Sequence, residues 1–179
     1  MNEVTLSKTN FKGCPVEVLM MGTQSGEYWG AFTPIVENII NKTITGKVLH
    51  LFSGRSLIGN ERVDLERPEA TIRQDVRDFI KTDKRHWTFV VLDPPYEQKR
   101  KSKLKDYAKP MALSSDVFFR REVIQYCLDH VDNILWLDYC APNPKGFRRQ
   151  KLWVLIQGAY FPVRILSWLK RETPLTKFA

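Results

Sequence analysis

The sequence predicts an α/β domain with a mostly parallel sheet and an antiparallel last strand, and three observations point there. Short apolar runs alternate along the chain with segments of helical spacing, the pattern of strands joined by helices. The run Trp87–Asp93, WTFVVLD, is β-branched and aromatic with hardly a polar position, as expected of a strand covered on both faces of a parallel sheet. The last two apolar runs, KLWVLIQ and FPVRILSWL, are joined by the short GAYFP link, which leaves no room for a crossover helix and makes them antiparallel.

Taken in order, the first apolar run is VEVLMM (Val16–Met21), followed by a Gly-containing turn. In WGAFTPIVENIINK, Phe32, Ile35, Val36, Ile39 and Ile40 recur every three or four residues, which predicts an amphipathic helix with Pro34 confined to its first turn. Gly46–Phe52 reads as a compact strand ending in the turn SGRSLIGN. Arg62–Glu66 and Ala70–Asp75 read as two more, followed by a short helix around Val76–Lys81. Beyond Trp87–Asp93 and a basic loop, Ser114–Val131 opens on a Ser/Asp start signal and spaces Val117, Phe118, Val123, Ile124 and Leu128 as a helix does. NILWLDY is another buried strand, and the Pro/Gly-rich turn CAPNPKGFRRQ leads into the last pair.

At 179 residues the chain makes one domain, 1–179, with residues 1–45 as an N-terminal segment and 97–113 as a basic loop. A net charge of +8 favours polyanionic partners, nucleic acid or an acidic membrane surface. No run approaches the roughly 20 apolar residues that span a bilayer, and the N-terminus lacks the basic-then-apolar order of a secretory leader. A cytoplasmic protein without membrane contact is expected. Cys14, Cys127 and Cys140 are scattered and odd in number, which fits reduced thiols. His50, His86 and His130 have no partner at ligand spacing, so no metal is expected.

The most specific stretch is Asp93-Pro94-Pro95-Tyr96, directly after the strongest strand. Ligands of open parallel sheets bind beyond the carboxyl ends of the strands. Two prolines stiffen the corner and remove two backbone donors, so its carbonyls face outward without competing amides. An acidic acceptor, outward carbonyls and an aromatic face together suit a planar group carrying an exocyclic amine, as on a nucleobase.

These four residues resemble the DPPY signature of the S-adenosylmethionine-dependent amino-methyltransferases, which act on exocyclic nitrogens, above all adenine N6 in DNA. The resemblance covers roughly Val48–Tyr96 and implies a Rossmann-like class I methyltransferase fold, an α/β domain with a mostly parallel seven-stranded sheet and an antiparallel last strand. It also implies catalytic roles at the corner Asp93, Pro94, Pro95 and Tyr96: Asp93 and the Pro94 carbonyl hold the amine and Tyr96 stacks on the extruded base.

The same resemblance places S-adenosyl-L-methionine after the Gly46–Phe52 strand. The loop there is Phe52-Ser53-Gly54-Arg55-Ser56, in which the second glycine of the family's pattern is missing. His50 stands where an acid is often found and reads as a satisfied residue near the strand end. The spacing from Phe52 to Val63 leaves no room for the usual crossover helix. Asp64 is expected on the ribose hydroxyls with Leu65 against the adenine ring, Asp75 on the adenine amine and Val76 beside that ring. The resemblance also makes residues 1–45 a segment that covers the cofactor, with Trp29 or Phe32 over its methionine end, although an aromatic flanking an amphipathic helix also suits a core.

Lys99, Arg100, Lys101, Lys103 and Lys105 follow the corner, where they are placed to meet phosphates or to form a solvated loop. Arg148 and Arg149, with Lys145 and Lys151, are expected at the same edge of the sheet. About twenty residues between Tyr96 and the next helix leave little for a target-recognition domain. Recognition is then loop-borne, or is supplied by a partner subunit or a second copy. DNA is the first expectation for the substrate; an RNA base methyltransferase acting on guanine N2 or adenine N6, or a degenerate nucleic-acid-binding subunit without activity, stays open.

Overall fold

A computed structural model describes residues 4–22, 32–95, 114, 116–158 and 162–172. Among them, nine strands and three helices alternate unevenly: β1 (Val4–Phe11), β2 (Cys14–Gly22), α1 (Pro34–Thr43), β3 (Val48–Leu51), β4 (Glu61–Asp64), β5 (Ile72–Arg73), α2 (Val76–Thr82), β6 (Trp87–Leu92), α3 (Val117–His130), β7 (Val131–Asp138), β8 (Phe147–Gln157) and β9 (Arg164–Arg171). All nine strands join one sheet in the order β1-β2-β8-β9-β7-β6-β3-β4-β5.

The expected mostly parallel seven-stranded Rossmann-like methyltransferase sheet is corrected by this architecture. The sheet has nine strands and is mixed, with β1–β2, β7–β9 and β8–β9 antiparallel and the other neighbours parallel. Two physical causes explain the difference. The first is an N-terminal hairpin. Lys12 and Gly13 both take positive φ, 50° and 79°, the turn geometry whose twist matches paired antiparallel strands. It folds β1 onto β2, which then pairs with β8. Residues 4–22 therefore lengthen the sheet at the edge far from β3 instead of covering the β3 end. The second cause is the bare connections 52–60 and 65–71, which link parallel strands without a helix and thin the helical layer.

Alternation along the strands divides the core in two. Phe89 and Val91 of β6 pack with Val48, Leu135 and the α1 residues Val36, Ile39 and Ile40. Val90 and Leu92 pack on the other face with Leu49, Leu51, Ile134 and Trp136, covered by Val76, Phe79 and Ile80 of α2 and Phe119, Val123 and Tyr126 of α3. β6 is thus buried on both faces, as its composition demands. Each helix starts on a side-chain cap: Thr33 Oγ1 accepts from Val36 N at 3.3 Å, Asp75 Oδ1 from Arg77 N at 2.7 Å, and Asp116 Oδ1 from Phe118 N at 2.9 Å. Pro34 occupies the first turn of α1, where its missing N–H costs nothing.

At the amino edge, Asp83 binds α2, β6 and α3 together. Its carboxylate accepts from Trp87 Nε1 (2.9 Å), Tyr126 Oη (2.7 Å) and Arg85 Nε (2.5 Å). Burial pushes this carboxyl up, but the three hydrogen bonds and the Arg85 charge outweigh it, and the group lies below the usual carboxylate range. No helix among the described residues is long and apolar enough to cross a membrane.

Candidate active site at the carboxyl edge of the sheet

β4, β3, β6 and β7 run parallel, so their carboxyl ends share one edge, and antiparallel β9 begins at that edge. β3 lies between β4 and β6: the chain leaves β3 toward one side and returns on the other, the kind of reversal beside which ligands of open α/β sheets bind. Leu51 is in register with both Leu92 and Val63. Hence Phe52-Ser53-Gly54, Asp64-Leu65 and Asp93-Pro94-Pro95 leave the sheet side by side, on strands about 4.8 Å apart.

The β3 loop turns abruptly. Phe52 takes φ 62°, a left-handed conformation that is an outlier for an aromatic residue, and Gly54 takes φ 53°. Phe52 meets Phe119 edge-to-face at 5.6 Å between centroids, which holds the strained residue down. Gly54 N donates to Asp64 Oδ2 at 2.9 Å, and Asp64 Oδ1 accepts from the amides of Glu66 and Arg67, each at 3.1 Å. Ser56, standing where a second glycine was expected, is buried and accepts from Ile58 N at 3.2 Å. His50 is 1% exposed and stacks on Phe32 at 5.2 Å. Burial pushes its imidazole down to about 4, against the Ile58 carbonyl and the Asp64 charge. Its Nδ1 lies 3.3 Å from Ile58 O, an acceptor, so Nδ1 carries the proton and Nε2 is left as an acceptor. Nε2 and the buried Ser53 Oγ have no hydrogen-bond partner among the described residues.

The acidic corner is braced by residues that sequence reasoning missed. Asp93 forms an ion pair with Arg164, the first residue of β9. Pro95 O accepts from Ser114 N at 3.3 Å. Arg120 of α3 donates to Ser114 O at 2.6 Å and to Asp138 at 2.8 Å, and lies 4.9 Å over the Trp136 ring. Tyr139 sits among these charges: burial, with Asp93 and Asp138, pushes its phenol up despite the Arg164 guanidinium. A signal for these residues existed. Asp138 follows a buried strand as Asp93 does, and an antiparallel last strand must start where the parallel ones end.

Of the expected cofactor residues, Phe52, Ser53, Gly54, Asp64 and Leu65 come together at the β3–β4 end. Leu65 is 61% exposed, unusual for its type. Asp75 caps α2 and Val76 lies in the core at 3% exposure. Arg148 and Arg149 are not brought to this edge. β8 runs in the direction of β7, so Arg148 lies opposite Lys170, itself opposite Asn133 near the start of β7. Arg149 is occupied by its own turn, donating to Pro142 O at 3.0 Å and to Ala141 O. Trp29, Tyr96, Lys99, Arg100, Lys101, Lys103 and Lys105 lie outside the described residues.

Asp64 keeps one acceptor direction, enough for one ribose hydroxyl of a nucleoside-bearing cofactor and not for the expected pair. A carboxylate has about four lone-pair directions, of which Asp64 uses three on backbone amides. Beside it stand an exposed leucine and two buried polar atoms without a hydrogen-bond partner among the described residues. No family model matches the chain, and no curated protein matches it.

Proposed function

We propose that the chain transfers a methyl group from S-adenosylmethionine to an exocyclic amine of a nucleobase, with adenine N6 in DNA as the leading substrate. What supports the reading is one juxtaposition: Leu51 opposite Leu92 sets the strained glycine loop and the Asp93-Pro94-Pro95 corner on neighbouring strand ends, next to a topological reversal.

In this account Asp64, Leu65, Ser53 and Gly54 hold the cofactor, which when bound supplies an electrophilic methyl on a sulfonium. Asp93 and the Pro94 carbonyl accept the amine's hydrogen bonds. An aromatic amine is a weak nucleophile because its lone pair is delocalised into the ring. Accepting its protons favours the pyramidal nitrogen and frees that pair for in-line attack, by positioning and electrostatics alone. The amine would gain one N–C bond as the donor's S–C bond breaks to leave a thioether, and the proton it sheds would pass to solvent.

A second reading, a nucleic-acid-binding subunit without activity, is favoured by one observation: the Gly54 amide and three Asp64 lone pairs are spent inside the loop. Incubation with methyl-labelled donor and separate DNA and RNA pools tests both. Label in DNA supports the leading substrate, label in RNA alone moves the activity to RNA, and label in neither leaves the binding subunit.

A further inference from the structure

Large apolar side chains left in solvent are not spread evenly over the described residues. Of eight, five stand at the carboxyl edge: Leu65 after β4, Val117 and Phe118 at the start of α3, Tyr139 after β7 and Val163 before β9. Phe118 is the most exposed, at 74%, although its neighbour Phe119 is buried. Phe119 anchors the turn. It meets Phe52 edge-to-face, and the Arg77 guanidinium lies 5.6 Å over its ring while pairing with the cap residue Asp116 at 2.6 Å. Ser114, four residues before Phe118, donates to Pro95 O, and Arg120 holds Ser114 O. The first turn of α3 is thus tied to the acidic corner and to the β3 loop, with Phe118 turned to solvent. Arg121, also exposed, neighbours both Val117 and Phe118 on the helix surface, four and three residues on.

We propose that Phe118 is a stacking platform for one base of a single-stranded nucleic acid lying beside the corner, and that Arg121 meets that strand's backbone. The inference goes beyond both readings above, since it requires a bound strand but no methyl transfer. The character of the surface selects this occupant. The ion pairs Arg77–Asp116, Arg120–Asp138 and Arg164–Asp93 lie among the exposed apolar groups. The described residues therefore offer isolated contacts, not the continuous dry patch within the ~800 Å² that a stable protein partner covers. An isolated aromatic face with a cation alongside suits a single strand, because every base has a π-face and its phosphates are anionic. The charge agrees: the chain carries +8, and six Lys or Arg residues from Lys99 to Lys109 precede α3 in the sequence. Glu122, exposed one position after Arg121, repels a backbone on its own side, so the strand runs on the Arg121 side.

The test measures binding of a fluorescent mixed-sequence single strand, and of an abasic strand of equal length, to wild type, Phe118→Trp, Phe118→Leu and Arg121→Gln. Urea midpoints, expected to be unchanged at these exposed positions, and sedimentation at several protein concentrations accompany it. Phe118→Leu keeps apolar bulk without a π-face and should bind the base-bearing strand roughly tenfold more weakly, the scale of one lost base–aromatic stack. Phe118→Trp should bind it at least as well as wild type. On the abasic strand wild type and Phe118→Leu should bind equally. Arg121→Gln should lower the salt slope by about 0.7, one phosphate of a single strand, while the Phe118 variants keep the wild-type slope. Phe118→Leu with wild-type binding, or with an equal loss on the abasic strand, overturns the platform, and an unchanged slope for Arg121→Gln overturns the phosphate contact. Self-association that Phe118→Leu abolishes, with strand binding intact, assigns the turn to a second copy and overturns the inference. The expected pattern in a protein that labels no strand when methyl-labelled donor is added supports the inference and removes only the methyl-transfer reading. Wild type that binds neither strand removes both readings and this inference with them.

Discussion

The amide of Gly54 donates to Asp64 Oδ2 at 2.9 Å, so the acid at the end of β4 is the clamp that shapes the β3 loop. A helix-less connection between parallel strands needs such a tie. Ser53 N to Val63 O at 3.1 Å and Val48 N to Asn60 Oδ1 at 2.8 Å supply the others.

Asp64→Ala leaves three amides without their acceptor and should cost about 1–3 kcal/mol of stability. Asp64→Asn, which keeps one acceptor oxygen, should cost less. Urea midpoints of the two variants check the order; an unchanged midpoint for Asp64→Ala would remove the clamp from the account.

His50 predicts a pH dependence. Its folded value, about 4, lies below the ordinary 6.5, so the unfolded chain takes up the proton first as pH falls. Stability should rise with pH across that window, by up to roughly 3 kcal/mol for a fully buried imidazole. His50→Gln removes the titration, and its midpoint should change less than wild type's between pH 4 and 6.5. Parallel pH profiles for the two proteins would contradict the burial of a neutral imidazole there.

Arg120 is the partner of Asp138, whose side chain is 3% exposed. Arg120→Ala strands that carboxylate in a covered site and should cost about 3–5 kcal/mol. Asp138→Asn in the same background should recover part of the loss, because the uncompensated charge is gone. Thermal melts of the single and double variants decide it, and a double variant no better than the single one argues against the pairing.

Arg148 lies at the amino edge and Arg149 is engaged with its own turn, so neither should contact phosphates near Asp93. Arg148→Gln should leave the salt dependence of nucleic-acid binding almost unchanged, against a slope change of about 0.9 for each lost phosphate contact. A full unit of change would put nucleic acid on the far edge of the sheet.

Some local elements were legible because they follow from local pattern, although the overall sheet was not. The both-faces-apolar β6, the β8–β9 antiparallel pair, the Pro34 start of α1 and the Asp116 start of α3 are each written in short runs of residues. The sheet's size was not. A Lys-Gly hairpin turn is a weaker signal than Asn-Gly, and it hid β1 and with it the pairing of β2 to β8. The site followed the same division. Asp93 and the Gly54–Asp64 loop end were visible as motif residues, whereas Arg164 and Arg120 depend on which strand and helix ends the fold brings together. Arg148 and Arg149 were misplaced for one reason: the direction of β8 is a property of the whole sheet, not of the basic turn before it.

Titration of the protein with S-adenosylmethionine, run side by side on wild type, Asp64→Ala and Asp93→Ala and followed by single-turnover transfer to DNA, separates the two halves of the edge. The account predicts that Asp93→Ala binds donor as wild type does and transfers nothing, while Asp64→Ala binds it at least several-fold more weakly. A wild-type chain that takes up no donor, or two variants that lose binding equally, would contradict a methyl donor and a base amine meeting above β3 and β6.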